Sequence, residues 1–285
     1  MKRLALSITT CLALIFPAAV SANASEVDTQ IFYSSKALDP TTGELIYTEK
    51  HHYVKTPTGL KSATVKYFDA DATLVAQKEI DFTTSPESPF FVRENTQTGY
   101  REGYEAVSKT RPYQGRLFQQ QQGETAACDN VIALRPGMIV DAGFNVHLQN
   151  NMAALAAGQP LIFELLIPKA CRALEFEARG ETTDKGLLIS LKPTSFLARL
   201  VVPNTQVLYN PDTTTLLEYH GLSDLTDAQG RSMKVSIYFD KPVVKQVASA
   251  NTAAEAGAIG VAERGNNGVY GKQTDSNQAF NNGRQ

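Results

Sequence analysis

The sequence predicts a mainly β protein: a curved antiparallel sheet or half-barrel with one amphipathic helix packed on its concave face. Three observations carry that expectation. Segments of alternating apolar and polar residues fill most of the chain, turn signals separate them about every ten residues, and one stretch replaces the alternation with helical spacing. That stretch is 141–158. Asp141 is placed as an N-cap, Phe144, Leu148, Met152 and Leu155 share one face, and Gly158 is placed to stop the helix. A single amphipathic helix among about a dozen strands can bury its apolar stripe only across the face, or in the mouth, of a curved sheet. A fully closed barrel is the alternative. An outer-membrane barrel fits badly with the helix, the apolar run Leu161–Ile167 and a polar C-terminus ending in Gln285.

In chain order, 27–34 reads as a short strand with Ile31 and Tyr33 on one face, and Asp39-Pro40-Thr41-Thr42-Gly43 as a turn. Strands follow at 44–54 (Leu45, Tyr47, His51 and Tyr53 alternating with Ile46, Thr48, His52 and Val54), 60–68 and 73–82, the last two joined by the acidic turn Asp69-Ala70-Asp71. Residues 90–94 and 100–107 read as strands, 116–122 as a poorly buried edge because of its four glutamines, and 128–138 as the approach to the helix. Beyond the helix, 161–167 is apolar enough to be buried on both faces or under the helix, and 172–179 alternates strictly. Further strands are expected at 186–191, 196–202, 207–209, 215–219 and 233–239. The reading gives one antiparallel β domain over 27–246. From 248 to 285 the composition turns to Ala, Gly, Asn and Gln, and the tail is expected to be disordered.

The N-terminus reads as a secretory signal over 1–24. Lys2 and Arg3 precede the apolar run 4–20, and Ala22-Asn23-Ala24 forms a cleavage site before Ser25. The expected location is the periplasm, alternatively the medium, and no later segment has the roughly 18 consecutive apolar residues of a membrane span. The full chain carries 27 basic and 29 acidic side chains; without Lys2 and Arg3 these become 25 and 29, a net charge of −4. That balance argues against a nucleic-acid partner. Cleavage also leaves two cysteines, Cys128 and Cys171, which an oxidising compartment would bridge or which stay as two buried thiols.

Chemical signatures are sparse. His51 and His52 are strand neighbours and point to opposite faces, so they do not share a metal. No H-E-x-x-H, Cys/His ligand spacing, calcium loop or nucleophile elbow occurs, so no metal, cofactor or catalytic residue is expected. Glu175 and Glu177 share an outer face, and Glu164 inside its apolar run is expected to pair with Arg172 or Arg199.

The runs Lys66-Tyr67-Phe68-Asp69-Ala70-Asp71 through Lys78, Asp141-Ala142-Gly143-Phe144 with Gly158, and the turn expected at Tyr219-His220-Gly221-Leu222-Ser223-Asp224 resemble a group of uncharacterised bacterial exported β-rich proteins. These in turn are similar to lipoprotein-carrier-like envelope domains. The resemblance implies an unclosed antiparallel barrel plugged by helix and carries no catalytic residue across.

The leading expectation is a non-catalytic periplasmic protein that takes a hydrophobic small molecule or lipid between helix and sheet. Phe144, His147, Leu148, Met152, Leu155, Phe163 and Phe176 would line the space. Alternatives are that the same residues fill a dry core, that the protein is an envelope assembly factor contacting another protein, or that it is a hydrolase.

Overall fold

The computed structural model describes residues 27–248 apart from 111–112, 201 and 228–229. The expected signal segment and, past Ala248, the expected tail lie outside the described residues. The first eight strands make an antiparallel meander: β1 (Val27–Leu38), β2 (Leu45–Thr56), β3 (Gly59–Asp69), β4 (Leu74–Asp81), β5 (Phe90–Asn95), β6 (Arg101–Ser108), β7 (Gln114–Gln120) and β8 (Cys128–Ala133). One device recurs at its hairpins. Asp39, Asp69 and Asn95 each accept hydrogen bonds on the side-chain oxygen from backbone N–H groups two to four residues on, fixing the reversal locally. Asn210 repeats it later.

After β8 the pattern changes. β9 (Met138–Val140) leads into two short helices, α1 (Gly143–Asn150) and α2 (Met152–Ala156), and β10 (Leu161–Ile167) returns parallel to β9. This is the one parallel pairing among the described strands, and it exists because the helices carry the chain back across the sheet. The meander then resumes. A 3₁₀ turn at Pro168–Ala170 precedes β11 (Arg172–Thr183) and β12 (Gly186–Pro193), followed by the short helix α3 (Phe196–Arg199), β13 (Thr205–Asn210), β14 (Thr215–Thr226), β15 (Ser232–Phe239) and β16 (Val243–Ala248). The two halves join on β1, which pairs with β16 through 27–32 and with β15 through 35–38.

The strand order runs β8-β7-β6-β5-β4-β3-β2-β1-β15-β14-β13-β12-β11-β10-β9, so sequence neighbours β8 and β9 sit at opposite edges. Laid flat, that many strands would separate the edges by roughly 67 Å at about 4.8 Å per gap. The four residues between Ala133 and Met138 reach at most about 18 Å. The sheet must therefore curl until its edges nearly meet, although β8 and β9 do not pair. A disulfide spans this seam: Cys128 on β8 is bonded to Cys171, just after the 3₁₀ turn on the opposite side.

Several elements differ from the sequence reading. The helix begins at Gly143, not Asp141, whose side chain is engaged elsewhere. It breaks at Asn151, whose amide takes the carbonyl of His147 that the next helical turn would use. Gly158 does end α2: at φ +75° it donates to Leu155 O, and Gln159 donates to Ala154 O, a Schellman closure. β7 is not an edge, since Leu117 and Phe118 are fully buried and β8 covers it. Ile162 on β10 is exposed while Phe163 packs with Leu148, Met152 and Leu155, so that strand is buried under the helix and not on both faces. Residues 196–199 form a helix because Arg199 folds back to donate to the carbonyls of Pro193 and Thr194. Residues 219–224 lie inside β14, not in a turn. The register slips between Leu222 and Thr226, and both Ser223 and Asp224 find partners on the concave side: Ser223 donates to Tyr47, and Asp224 accepts from Tyr67. Glu164 pairs with Arg135.

Candidate functional site

The concave face is not uniformly apolar. Lys78 on β4 is buried, and its ammonium donates to Asp141 (3.0 Å) and to Asp224 (2.5 Å). Tyr67 donates to Asp224, and Arg93 pairs with Glu102 beside them. Asp141 sits in the left-handed region (φ +40°), a conformation that aims its carboxylate at Lys78 and ties the helix entry to β4. Burial pushes the Lys78 ammonium toward deprotonation, but the two carboxylates outweigh it and hold its pKa above the ordinary value. Burial likewise pushes Asp224 up, and Lys78, Arg93 and the Tyr67 hydroxyl outweigh it, leaving that carboxyl below the usual range. For Asp141 burial prevails over Lys78, and the carboxyl is raised.

Further along the same face Ser35 donates to Glu49, which also holds His51 Nε2 at 2.9 Å. The carboxylate thus stands between hydroxyl and imidazole. Serine activation needs the imidazole in the middle, so this cluster positions side chains rather than making a nucleophile. His52 points away and stacks on Phe32, as strand alternation requires. Among the described residues no three His, Cys, Asp or Glu side chains converge as a metal set.

The helical residues read from the sequence pack together. Leu148 and Leu155 are fully buried, Met152 nearly so, and they meet Phe163 on β10, Phe176 on β11 and Ile139 on β9. Phe144 packs on the edge of this cluster, 6.1 Å from Phe163. His147 stands edge-on to Phe163 and holds Glu87 at 2.8 Å through Nδ1.

The open space lies on the other side of α1. A cleft of about 200 Å³ is walled by Ala142, Asn145, Val146 and Gln149 of the helix and by Ile31, Tyr33, Tyr53 and Leu60 of β1–β3. The β13–β14 turn (Thr213–Leu216) and the β15–β16 corner (Phe239, Asp240, Pro242) close its ends. None of the seven residues expected to line a cavity borders it. Its position is built by identifiable contacts. Tyr209 donates to Asn145 Oδ1, and Gln149 donates to the carbonyl of Thr214, so α1 is held at a fixed distance above the strands. Tyr33 stacks on His51 (4.4 Å between centroids), which fixes the ring that forms the floor. A larger hollow of about 450 Å³ lies between hairpin tips, lined by Glu94, Thr96, Gln97, Arg101, Gln120 and Gln122. Its walls offer little apolar surface, the ingredient from which small-molecule sites draw most affinity.

The alternation of the sequence put Ile31 and Tyr33 on one face of their strand, and Tyr53 on a shared face with Leu45, Tyr47 and His51 in the next. What it could not give was the helix face opposite Leu148, or the return of the β15–β16 corner beside it.

No family matches the chain, and no curated protein does. Among solved structures, a β-barrel-like protein of domain of unknown function DUF1849 from Brucella abortus is similar, with a TM-score of 0.42 and 10% identity over 77% of this chain and 98% of that one. That likeness is too distant to carry a residue or a ligand across.

Proposed function

We propose that the protein is an exported, non-catalytic binding protein that holds a small ligand with apolar surface in the cleft between α1 and the sheet. The observation that carries this reading is the cleft itself, about 200 Å³ of space under a helix whose opposite face is already packed. At roughly 30 Å³ per water-sized unit, it suits a single ring or a short acyl segment, not a whole lipid. The disulfide supports an oxidising compartment, which the periplasm or, alternatively, the medium would provide. The similarity to lipoprotein-carrier-like domains is part of the proposal and rests on sequence motifs alone, of which the Asp141 cap and the 219–224 turn take other forms in the structure.

The test uses benzyl alcohol as a neutral probe, followed by ligand-observed NMR, on the folded protein and on Val146→Trp, which fills the cleft. Saturable millimolar binding that the variant loses, with its thermal midpoint unchanged, is expected. Binding that Val146→Trp leaves intact, or absence of saturable binding both by this probe and by charged analogues of the same ring, overturns the reading.

One observation favours a second reading, an envelope assembly factor. Phe196, Leu197 and Leu200 are 72%, 73% and 69% exposed on the α3 tip, a concentration of apolar surface that suits protein contact. Under this reading, Phe196→Ser with Leu197→Ser abolishes a cross-linked partner in envelope extracts while stability is unchanged.

A further inference from the structure

The lining of the cleft has a sign. Its aromatic walls are Tyr33, Tyr53 and Phe239, with Tyr33 5.9 Å from Tyr53 and 6.2 Å from Phe239 between ring centroids. Asp240 follows Phe239 directly at the rim, and no Lys, Arg or His is among the lining residues. No ion pair of the Asp240 carboxylate occurs among the described residues, while its backbone N–H is fixed by Ser34 O. Gln149 spends its amide N–H on Thr214 O, leaving its Oε1 as an acceptor. Of the lining groups, the Asp240 carboxylate and the Gln149 Oε1 therefore stand as acceptors.

The geometry points to a small organic cation, an ammonium carried on an apolar ring or short chain, as the ligand of this cleft. A cation within about 6 Å of an aromatic centroid is attracted by the ring quadrupole, and here Tyr33 stands next to both Tyr53 and Phe239. The Asp240 carboxylate adds a partner at the mouth, where solvent keeps the pairing modest and salt-dependent. An anion of the same shape meets repulsion from both features. A neutral ligand gains the apolar contacts but neither electrostatic one. This assignment rests on the cleft being the binding site and goes beyond it by naming the charge.

Three probes sharing one ring separate the two claims: benzyltrimethylammonium, benzyl alcohol and benzoate, titrated into the full protein by NMR at low and high salt. The cation is expected to bind about tenfold more tightly than benzyl alcohol, as one to two partly exposed cation–π and carboxylate contacts supply. Benzoate binds weakest. Asp240→Asn, an exposed change with no loss of packing, should cut the cation's advantage at least threefold while leaving benzyl alcohol unchanged, and Tyr33→Leu should reduce it further. Equal binding of cation and alcohol, or an advantage untouched by Asp240→Asn, overturns the cation assignment and leaves the cleft reading standing. Saturable binding of none of the three overturns both.

Discussion

Lys78 is the residue on which the concave face balances. Its ammonium is buried and held by Asp141 and Asp224, so replacing it with Met removes one cation and strands two carboxylates, Asp141 being the more enclosed. Breaking a buried pair in this one-sided way costs about 3 kcal/mol, and Lys78→Met should lower the urea-unfolding free energy by that order. The pH dependence follows from the directions of the shifts. Asp224 is depressed in the folded state, so the stability it contributes is present above the unfolded aspartate value near 3.9 and is lost as pH falls below it. Lys78 is raised, so its contribution is complete below about 10.4 and is lost as pH climbs past that value. Asp141, raised, works in the opposite sense to Asp224 and gains stability on protonation, which softens the acid limb. A thermal midpoint that falls below about pH 3.9 and above about pH 10.4 is expected, with Asp224→Asn flattening the acid side.

At the scale of elements, the two-part helix is a plug with one packed side and one open side. Leu148 and Leu155 are fully buried under it, and Leu148→Ala or Leu155→Ala should cost about 2–5 kcal/mol, read by chemical denaturation. The cleft-facing Val146→Ala should cost far less, and that contrast measures the asymmetry. Gly180 on β11 lets α2 come close: a Cβ there would lie 2.4 Å from the carbonyl oxygen of Leu155, so Gly180→Ala must push the helix off the strand. The stripe of Phe144, Leu148, Met152 and Leu155 was legible from spacing alone, as was the stop at Gly158. The entry was not. Asp141 has the chemistry of an N-cap, and nothing local shows that a lysine 63 residues earlier claims its carboxylate. Nor does local pattern show that Arg199 curls 196–199 into a helix where alternation suggests a strand.

For the whole molecule, the disulfide is a clasp between the first edge of the sheet and the far side of its seam. Opening it releases a loop of 43 residues, and the chain-entropy estimate for that length is about 4 kcal/mol. Reduction, or Cys128→Ser with Cys171→Ser, should lower the thermal midpoint by roughly 10 °C, measured by circular dichroism. The curved sheet was legible because its turns are written in local residues such as Asp39, Asp69 and Asn210. The seam was not, since a strand pattern says nothing of which strands end up as edges. The same strand order has a kinetic side. Val27 lies opposite Ala248, and among the described strands neighbour-to-neighbour order breaks at 134–137 and again where β16 passes β15 to pair with β1. β1 must therefore wait for strands some 200 residues later before it gains its second partner, a long-range closure that slows folding. Rejoining residue 248 to residue 27 and opening the chain at 134–137 would make the strand pairings local in sequence from β9 round to β8. That circular permutant should reach the same native structure and refold faster in stopped-flow experiments.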